Sequence, residues 1–178
     1  MRPGRACGEK CRSHDSLRYA PVARNDGEQG DRRGDEMIVM KFGGTSVEDA
    51  GAIRRVAQIV RGRLKKRPLI VVSAMAKVTD ALVRMGEAAE RNELSGALEE
   101  LAKVRERHFE AARELVSNAE RDSLVAALDE KFNSLESLLK GVAALGELSN
   151  RTTDLILSYG EVLSSSLVAA AFRAEGLD

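Results

Sequence analysis

The chain has no surplus of charge, only two cysteines and almost no proline beyond its first segment, and each shortage removes a class of function. Its 178 residues hold 28 basic and 28 acidic side chains, so nothing in the balance calls for a nucleic-acid partner, which would need a basic excess on at least one face. The sole basic cluster, Arg61-Gly-Arg-Leu-Lys-Lys-Arg67, stands just before Pro68. Cations there favour the C-terminal end of a helix dipole, and the cluster reads as a solvated helix end. Cys7 and Cys11 lie near His14 with no fourth ligand beside them, so they predict free thiols in a reducing cytoplasm rather than a zinc site. No apolar secretion segment is present, and the first 36 residues balance 8 basic against 7 acidic side chains, unlike a mitochondrial transit peptide. No membrane partner is expected.

Those 36 residues also hold five of the 15 glycines and two of the three prolines, with no periodic apolar face. They predict a disordered N-terminal extension, 1–36. The domain pattern begins directly at Met37, so this segment is also open to being an upstream translation from a misplaced start codon. A native N-terminal peptide upstream of Met37 would refute that idea. The chain as a whole is 43% hydrophobic and 31% charged, ordinary for one soluble domain, and the remainder can build one core.

The densest chemical signal is Lys41-Phe-Gly-Gly-Thr-Ser-Val47. Met37-Ile-Val-Met40 predicts a buried strand before it, and a helix opening at Glu48 follows, with Ile53, Val56, Ala57 and Val60 on one face. Gly43 and Gly44 therefore sit in a strand-to-helix turn. There they would permit positive φ, clear side chains from a ligand's path and expose N–H groups beside a helix N-terminus, and Lys41 adds a full charge. That suits a phosphate, although the spacing is neither Walker A nor the three-glycine dinucleotide fingerprint. An ordinary tight turn with a solvated lysine fits the same residues.

Two later segments carry further polar groups. In Leu69-Ile-Val-Val-Ser-Ala-Met-Ala-Lys-Val-Thr-Asp80, Ser73 ends a strand and Thr79 stands where a helix should start. Both hydroxyls can face the crevice at the strand's carboxyl end, where open α/β sheets bind ligands; helix capping by Thr79 or Asp80 fits equally. In Arg151-Thr-Thr-Asp-Leu-Ile-Leu-Ser-Tyr-Gly-Glu161, the carboxylate sits among Leu155, Ile156, Leu163, Leu167 and Val168, which predict a buried setting. A carboxylate there needs a cation or donors, either a ligand's ammonium group or a structural partner such as Arg151.

Between these motifs, residues 81–150 predict a helical hairpin insertion. Leu94, Leu98, Leu101, Val104 or His108, Ala112 and Leu115 mark one arm, and Leu128, Phe132, Leu135, Leu139 and Val142 the other. The break falls at Ser117-Asn118, with Asp122 or Ser123 as the expected N-cap. A short antiparallel coiled coil has the same steps. His108 reads as a helix residue rather than a base, having no nucleophile or carboxylate assigned to it.

The three motifs, in this order, resemble the aspartate kinases of the amino-acid kinase family, over roughly residues 37–178. The resemblance implies a partial catalytic domain of α/β class: the N-terminal half of a three-layer αβα sandwich with a mainly parallel sheet. It implies transfer of the γ-phosphoryl group of ATP to the side-chain carboxylate of L-aspartate, the first step toward lysine, threonine and methionine. By it, Lys41, Phe42, Gly43, Gly44, Thr45 and Ser46 hold the phosphates, with Lys41 the catalytic charge. Ser73, Thr79 and Glu161 hold aspartate, and Mg2+ arrives with the nucleotide rather than at a metal site of the chain. Relatives continue further, with an adenine-binding segment, so the chain alone is expected to bind ATP poorly and to have no substantial kinase activity, and a homo-oligomer or a missing C-terminal half is an expected partner. Another amino-acid kinase, a subunit of a split enzyme, or a non-enzymatic hairpin module are the alternatives.

Overall fold

A computed structural model describes residues 37–177; the predicted extension 1–36 lies outside them. The order is strand β1 (Val39–Phe42), a 3-10 turn (Gly44–Val47), helix α1 (Ala50–Arg61), a second 3-10 turn (Leu64–Lys66), strand β2 (Leu69–Val72), then α2 (Val78–Glu90), α3 (Leu94–Leu115), α4 (Asn118–Leu145) and α5 (Asn150–Ala174). The strands pair in parallel, Val39 opposite Leu69 and Lys41 opposite Val71, with α1 as the crossover that a parallel pair requires.

Each strand alternates. Met40, Phe42, Ile70 and Val72 pack against the helical core, while Val39, Leu69 and Val71 on the opposite face are 67%, 53% and 40% exposed. Helices thus cover one face of the sheet among the described residues, and the other face is open. The α/β class follows from these elements.

Helix α1 forms because Asp49 caps it, its carboxylate accepting the Ala52 N–H at 2.7 Å, and because Ile53, Val56, Ala57 and Val60 give it one buried stripe. The expected start at Glu48 is therefore displaced, since a 3-10 turn comes first. The basic cluster does end α1: Arg61 closes the helix and pairs with Glu175 at 3.0 Å, and the residues up to Arg67 are exposed.

Every apolar residue predicted for the return arm is buried, Leu128, Phe132, Leu135, Leu139 and Val142 alike. Helix α4 nevertheless begins five residues before Ser123, with Ser117 as its N-cap; Asp122 and Ser123 lie inside it. The hairpin is not a free-standing coiled coil either, because α3 and α4 both pack on α2 and on α5. Helix α4 ends at Gly146, whose φ of 67° makes the left-handed cap and whose N–H reaches Val142 O at 2.8 Å. An 18-residue window of α5 is apolar enough to cross a bilayer by composition alone, yet Ile156, Leu163, Leu167 and Val168 form a stripe buried in this core.

Phe132 is the centre of the α3–α4 contact. His108 and Phe109 meet its ring edge-on, at 5.5 and 6.0 Å, and the Arg105 guanidinium lies 5.5 Å from the ring centroid. His108 is fully buried, with Nδ1 2.8 Å from Val104 O. Burial, partly countered by that bond, pushes its imidazole down to about 4, so it is neutral near pH 7. This is a core histidine, as its position in the sequence suggests.

Candidate active site

The turn after β1 departs from the sequence expectation in how its glycines work. Gly43 is extended at φ −77°, ψ 174°, and neither it nor Gly44 has positive φ. What Gly44 supplies is closeness: a Cβ there would stand 2.9 Å from Ala74 O and 3.4 Å from the Ala76 Cα. At Gly43 a Cβ would meet nothing within 4 Å, so the fold itself leaves that space clear. Ser46 N–H donates to Gly43 O at 2.9 Å, and Ala76 N–H donates to Gly44 O at 3.1 Å. No described backbone bond outside the helices and strands uses the amides of Gly43, Gly44 or Thr45 as donors. Asp49 already caps α1, so these glycines border the 3-10 turn rather than the helix's dipole end.

Around that turn, Lys41 is exposed, and no hydrogen bond or ion pair to another described residue engages its side chain. Thr45 is exposed and Ser46 half-buried. Phe42 packs its ring into the core, so only its backbone borders the turn, its carbonyl accepting the Ser73 N–H at 3.1 Å.

The turn after β2 runs from Ser73 to Lys77. Ser73 is half-buried at the strand's end. Lys77 takes the N-cap position of α2 in the left-handed region, φ 67°, and makes no side-chain cap bond. Thr79 is thus the second helical residue, and neither it nor Asp80 caps α2. Its hydroxyl is exposed.

Helix α5 brings the third motif against this turn. A Cβ added at Gly160 would stand 2.8 Å from the Ala74 Cβ and 3.4 Å from Leu82; this glycine lets the helix approach. One turn on, Ser164 Oγ donates to Ser73 O at 2.8 Å. Glu161 Oε1 accepts the Ala74 N–H at 3.4 Å, a long bond. The expectation of a buried Glu161 does not hold: the residue is exposed, and Leu155, expected to be buried with it, is 50% exposed. The buried stripe of α5 runs through Ile156, Gly160, Leu163, Ser164 and Leu167, which leaves 161 at its edge. Nor does Arg151 neutralise it. Ten residues of helix put about 15 Å of rise between them, and no described ion pair joins them.

Ala74 is therefore the point where all three motifs meet, under Gly44 on one side and Gly160 on the other. The structure brings together the Gly43–Ser46 turn, Ser73 and Glu161. Lys41 stands on the sheet's open face and Thr79 in the first turn of α2. The cleft of about 510 Å3 between α4 and α5, lined by Glu120, Ser123, Leu124 and Arg173 among others, shares no residue with this meeting point. Gly160, Ser164 and Arg107, whose guanidinium reaches both turns, were not singled out from sequence. Ser164 had a signal, a hydroxyl within a buried apolar stripe.

The family model described as the amino acid kinase family matches residues 36–178. The chain belongs to the amino acid kinase family. Among curated relatives of this amino acid kinase segment, Aspartokinase 1, chloroplastic, of Arabidopsis thaliana is 39% identical over 141 residues, covering 78% of this chain and 24% of the relative. Aspartokinase 2, chloroplastic, of the same plant is 34% identical over 169 residues, covering 92% and 30%. Among solved structures, E. coli aspartokinase III in complex with lysine and aspartate superposes with a TM-score of 0.69 at 29% identity, covering 80% of this chain and 30% of that one. The same enzyme with aspartate and ADP gives 0.65 at 31% identity, covering 79% and 30%. The chain thus spans less than a third of the length of these relatives, and is an aspartokinase-like amino acid kinase segment with their α/β fold.

Proposed function

We propose that this segment belongs to an enzyme that transfers the γ-phosphoryl group of ATP to the side-chain carboxylate of L-aspartate, giving 4-phospho-L-aspartate. The observation that carries the reading is the convergence on Ala74 of a glycine turn, a strand-end serine and an exposed carboxylate. Relatives solved with aspartate and with ADP support the choice of substrates.

In the transfer, an aspartate carboxylate oxygen bonds to the γ-phosphorus while the bond from that phosphorus to the β,γ-bridging oxygen breaks, and ADP leaves with the electron pair. The nucleophile is already an anion, so no base is needed. What the chain must supply is position and positive potential. Lys41 provides the charge, and the free amides of Gly43, Gly44 and Thr45 provide donors, with the Thr45 and Ser46 hydroxyls beside them. The clear space at Gly43 admits a phosphate oxygen close to the backbone.

Ser73, Thr79 and Glu161 hold the acceptor. Glu161 has one weak protein donor and an otherwise open carboxylate, which suits the α-ammonium group of an amino acid. Magnesium arrives on the nucleotide in this reading; among the described residues no group of three His, Cys, Asp or Glu side chains is placed to hold a metal ion.

The test is acyl-phosphate formation by the intact protein, trapped with hydroxylamine, using L-aspartate or N-acetyl-L-aspartate as acceptor. Hydroxamate from aspartate, with little from the acetylated compound, is expected. Preference for an acetylated acceptor would reassign the site to a different amino-acid kinase, and no product from either would leave the helices as an interaction module.

A further inference from the structure

Arg107 lies in the middle of α3, on the hairpin, yet its side chain ends between the two turns of the site. One terminal nitrogen, Nη1, donates to Ala76 O at 2.7 Å. The other, Nη2, donates to Glu48 O at 2.8 Å. These carbonyls belong to chain segments 28 residues apart, one following the Gly43–Ser46 turn and the other within the Ser73–Lys77 turn. Among the described ion pairs, none diverts the guanidinium to a carboxylate, although Glu110 and Glu114 share with it a cleft of about 210 Å3 beside Asp49 and Met75.

The bonds close a ring. Ala76 donates its N–H to Gly44 O at 3.1 Å and accepts from Arg107 through its carbonyl, while Arg107 holds Glu48, four residues beyond Gly44. Immediately after Ala76, Lys77 is left-handed at φ 67°, a conformation a lysine keeps only where its surroundings impose it. Arg107 fixes the carbonyl on the near side of that residue. A planar, permanently charged fork is the side chain that can satisfy two carbonyls at once; a lysine ammonium is a point donor on a flexible stem.

We propose that Arg107 is a positioning residue for the phosphoryl transfer, setting the separation between the phosphate turn and the acceptor turn from the helical hairpin. The inference rests on the reading of those turns given under Proposed function. Transfer demands that nucleophile and phosphorus be held at near-contact distance, and a displacement of about 1 Å costs up to ~100-fold in rate.

Two measurements on Arg107→Ala and Arg107→Lys test it. In hydrogen–deuterium exchange of the chain, both variants should speed exchange at the Ser46 and Ala76 amides by on the order of tenfold or more, the scale of a lost charge-assisted bond, while α4 amides from Leu128 to Val142 are unchanged. In the intact protein, kcat for acyl-phosphate formation should fall by about 10- to 100-fold with smaller changes in KM, and lysine should not restore it. Unchanged exchange at both turns, an increase spread evenly through α4, or full recovery of kcat by Arg107→Lys would each overturn the proposal. If the wild-type protein forms no acyl phosphate, the chemical reading fails while the exchange pattern still decides whether Arg107 ties the turns. If wild type is active and Arg107→Lys equals it, the tie fails and the chemical reading stands.

Discussion

The turns around Ala74 and the α3–α4 contact around Phe132 are built on opposite terms. Around Phe132, the ring itself is fully buried, a histidine is held neutral inside the core, and Arg105 spans the helices with Asn133 at 2.8 Å and Asp129 at 3.6 Å; the polar atoms left without a partner there, Arg105 Nε and His108 Nε2, are themselves buried. Around Ala74, donors and acceptors are left over: an unengaged lysine, amides outside the described turn bonds, and a carboxylate with one long bond. The difference separates what stabilises the protein from what is available to a ligand. Leftover polar groups at the carboxyl ends of parallel strands are where ligands bind in open α/β sheets, whereas the two unpartnered nitrogens beside Phe132 are buried and closed to any ligand.

Substitutions should therefore divide into two sets, and the largest effect belongs to the core. Phe132→Ala should cost about 3–5 kcal/mol of stability, by lost burial and an unfilled cavity, read as a lower denaturant midpoint. Aspartate and nucleotide affinity of the fraction that remains folded should not change. Loss of ligand affinity in that folded fraction would mean the two regions are not separable.

Acid gives the next effect. His108 has its folded pKa lowered to about 4 from 6.5, so the unfolded chain binds the extra proton more readily. Stability from the neutral imidazole is complete above about pH 6.5, declines as pH falls toward 4 and levels off below it, a change on the order of 3 kcal/mol. His108→Gln should flatten that part of a stability-against-pH curve; an unaltered curve would show that other groups cause the acid loss.

The smallest effects sharpen the comparison within the turn itself. Gly44→Ala places a methyl against a backbone oxygen and should cost about 1–3 kcal/mol. Gly43→Ala meets nothing within 4 Å and has a φ that alanine adopts readily. Its stability should stay within about 0.5 kcal/mol of wild type or rise slightly, while nucleotide binding weakens because the methyl takes the phosphate's space. Equal losses of stability at both positions would contradict the geometry.

Much of this was readable in the chain. The buried stripes of α1 and α4 follow from apolar spacing, and the strand-to-helix turn follows from an apolar run meeting a glycine pair. Helix starts were less legible, because Asp49, Ser117, Asp122 and Ser123 are all competent caps and only tertiary packing chooses among them. Glu161 looks buried in the sequence because apolar residues flank it on both sides, yet counting by threes and fours from Ile156 reaches Gly160, Leu163 and Ser164 and passes 161 by. Arg107 left no trace, since a long side chain joining two distant carbonyls is a fact of three dimensions. The left-handed Lys77 is equally silent, being a lysine where glycine would signal the turn.

The most direct test of the account compares Lys41→Ala with wild type in the intact protein, measuring acyl-phosphate formation and melting temperature together. Lys41 is exposed and unengaged, so the melting temperature should not move. Turnover should fall by about 10²- to 10³-fold, the scale of one lost charge-stabilising donor. Wild-type turnover in the variant would contradict the assignment of this turn to phosphate, and a lowered melting temperature would show that Lys41 belongs to the fold instead.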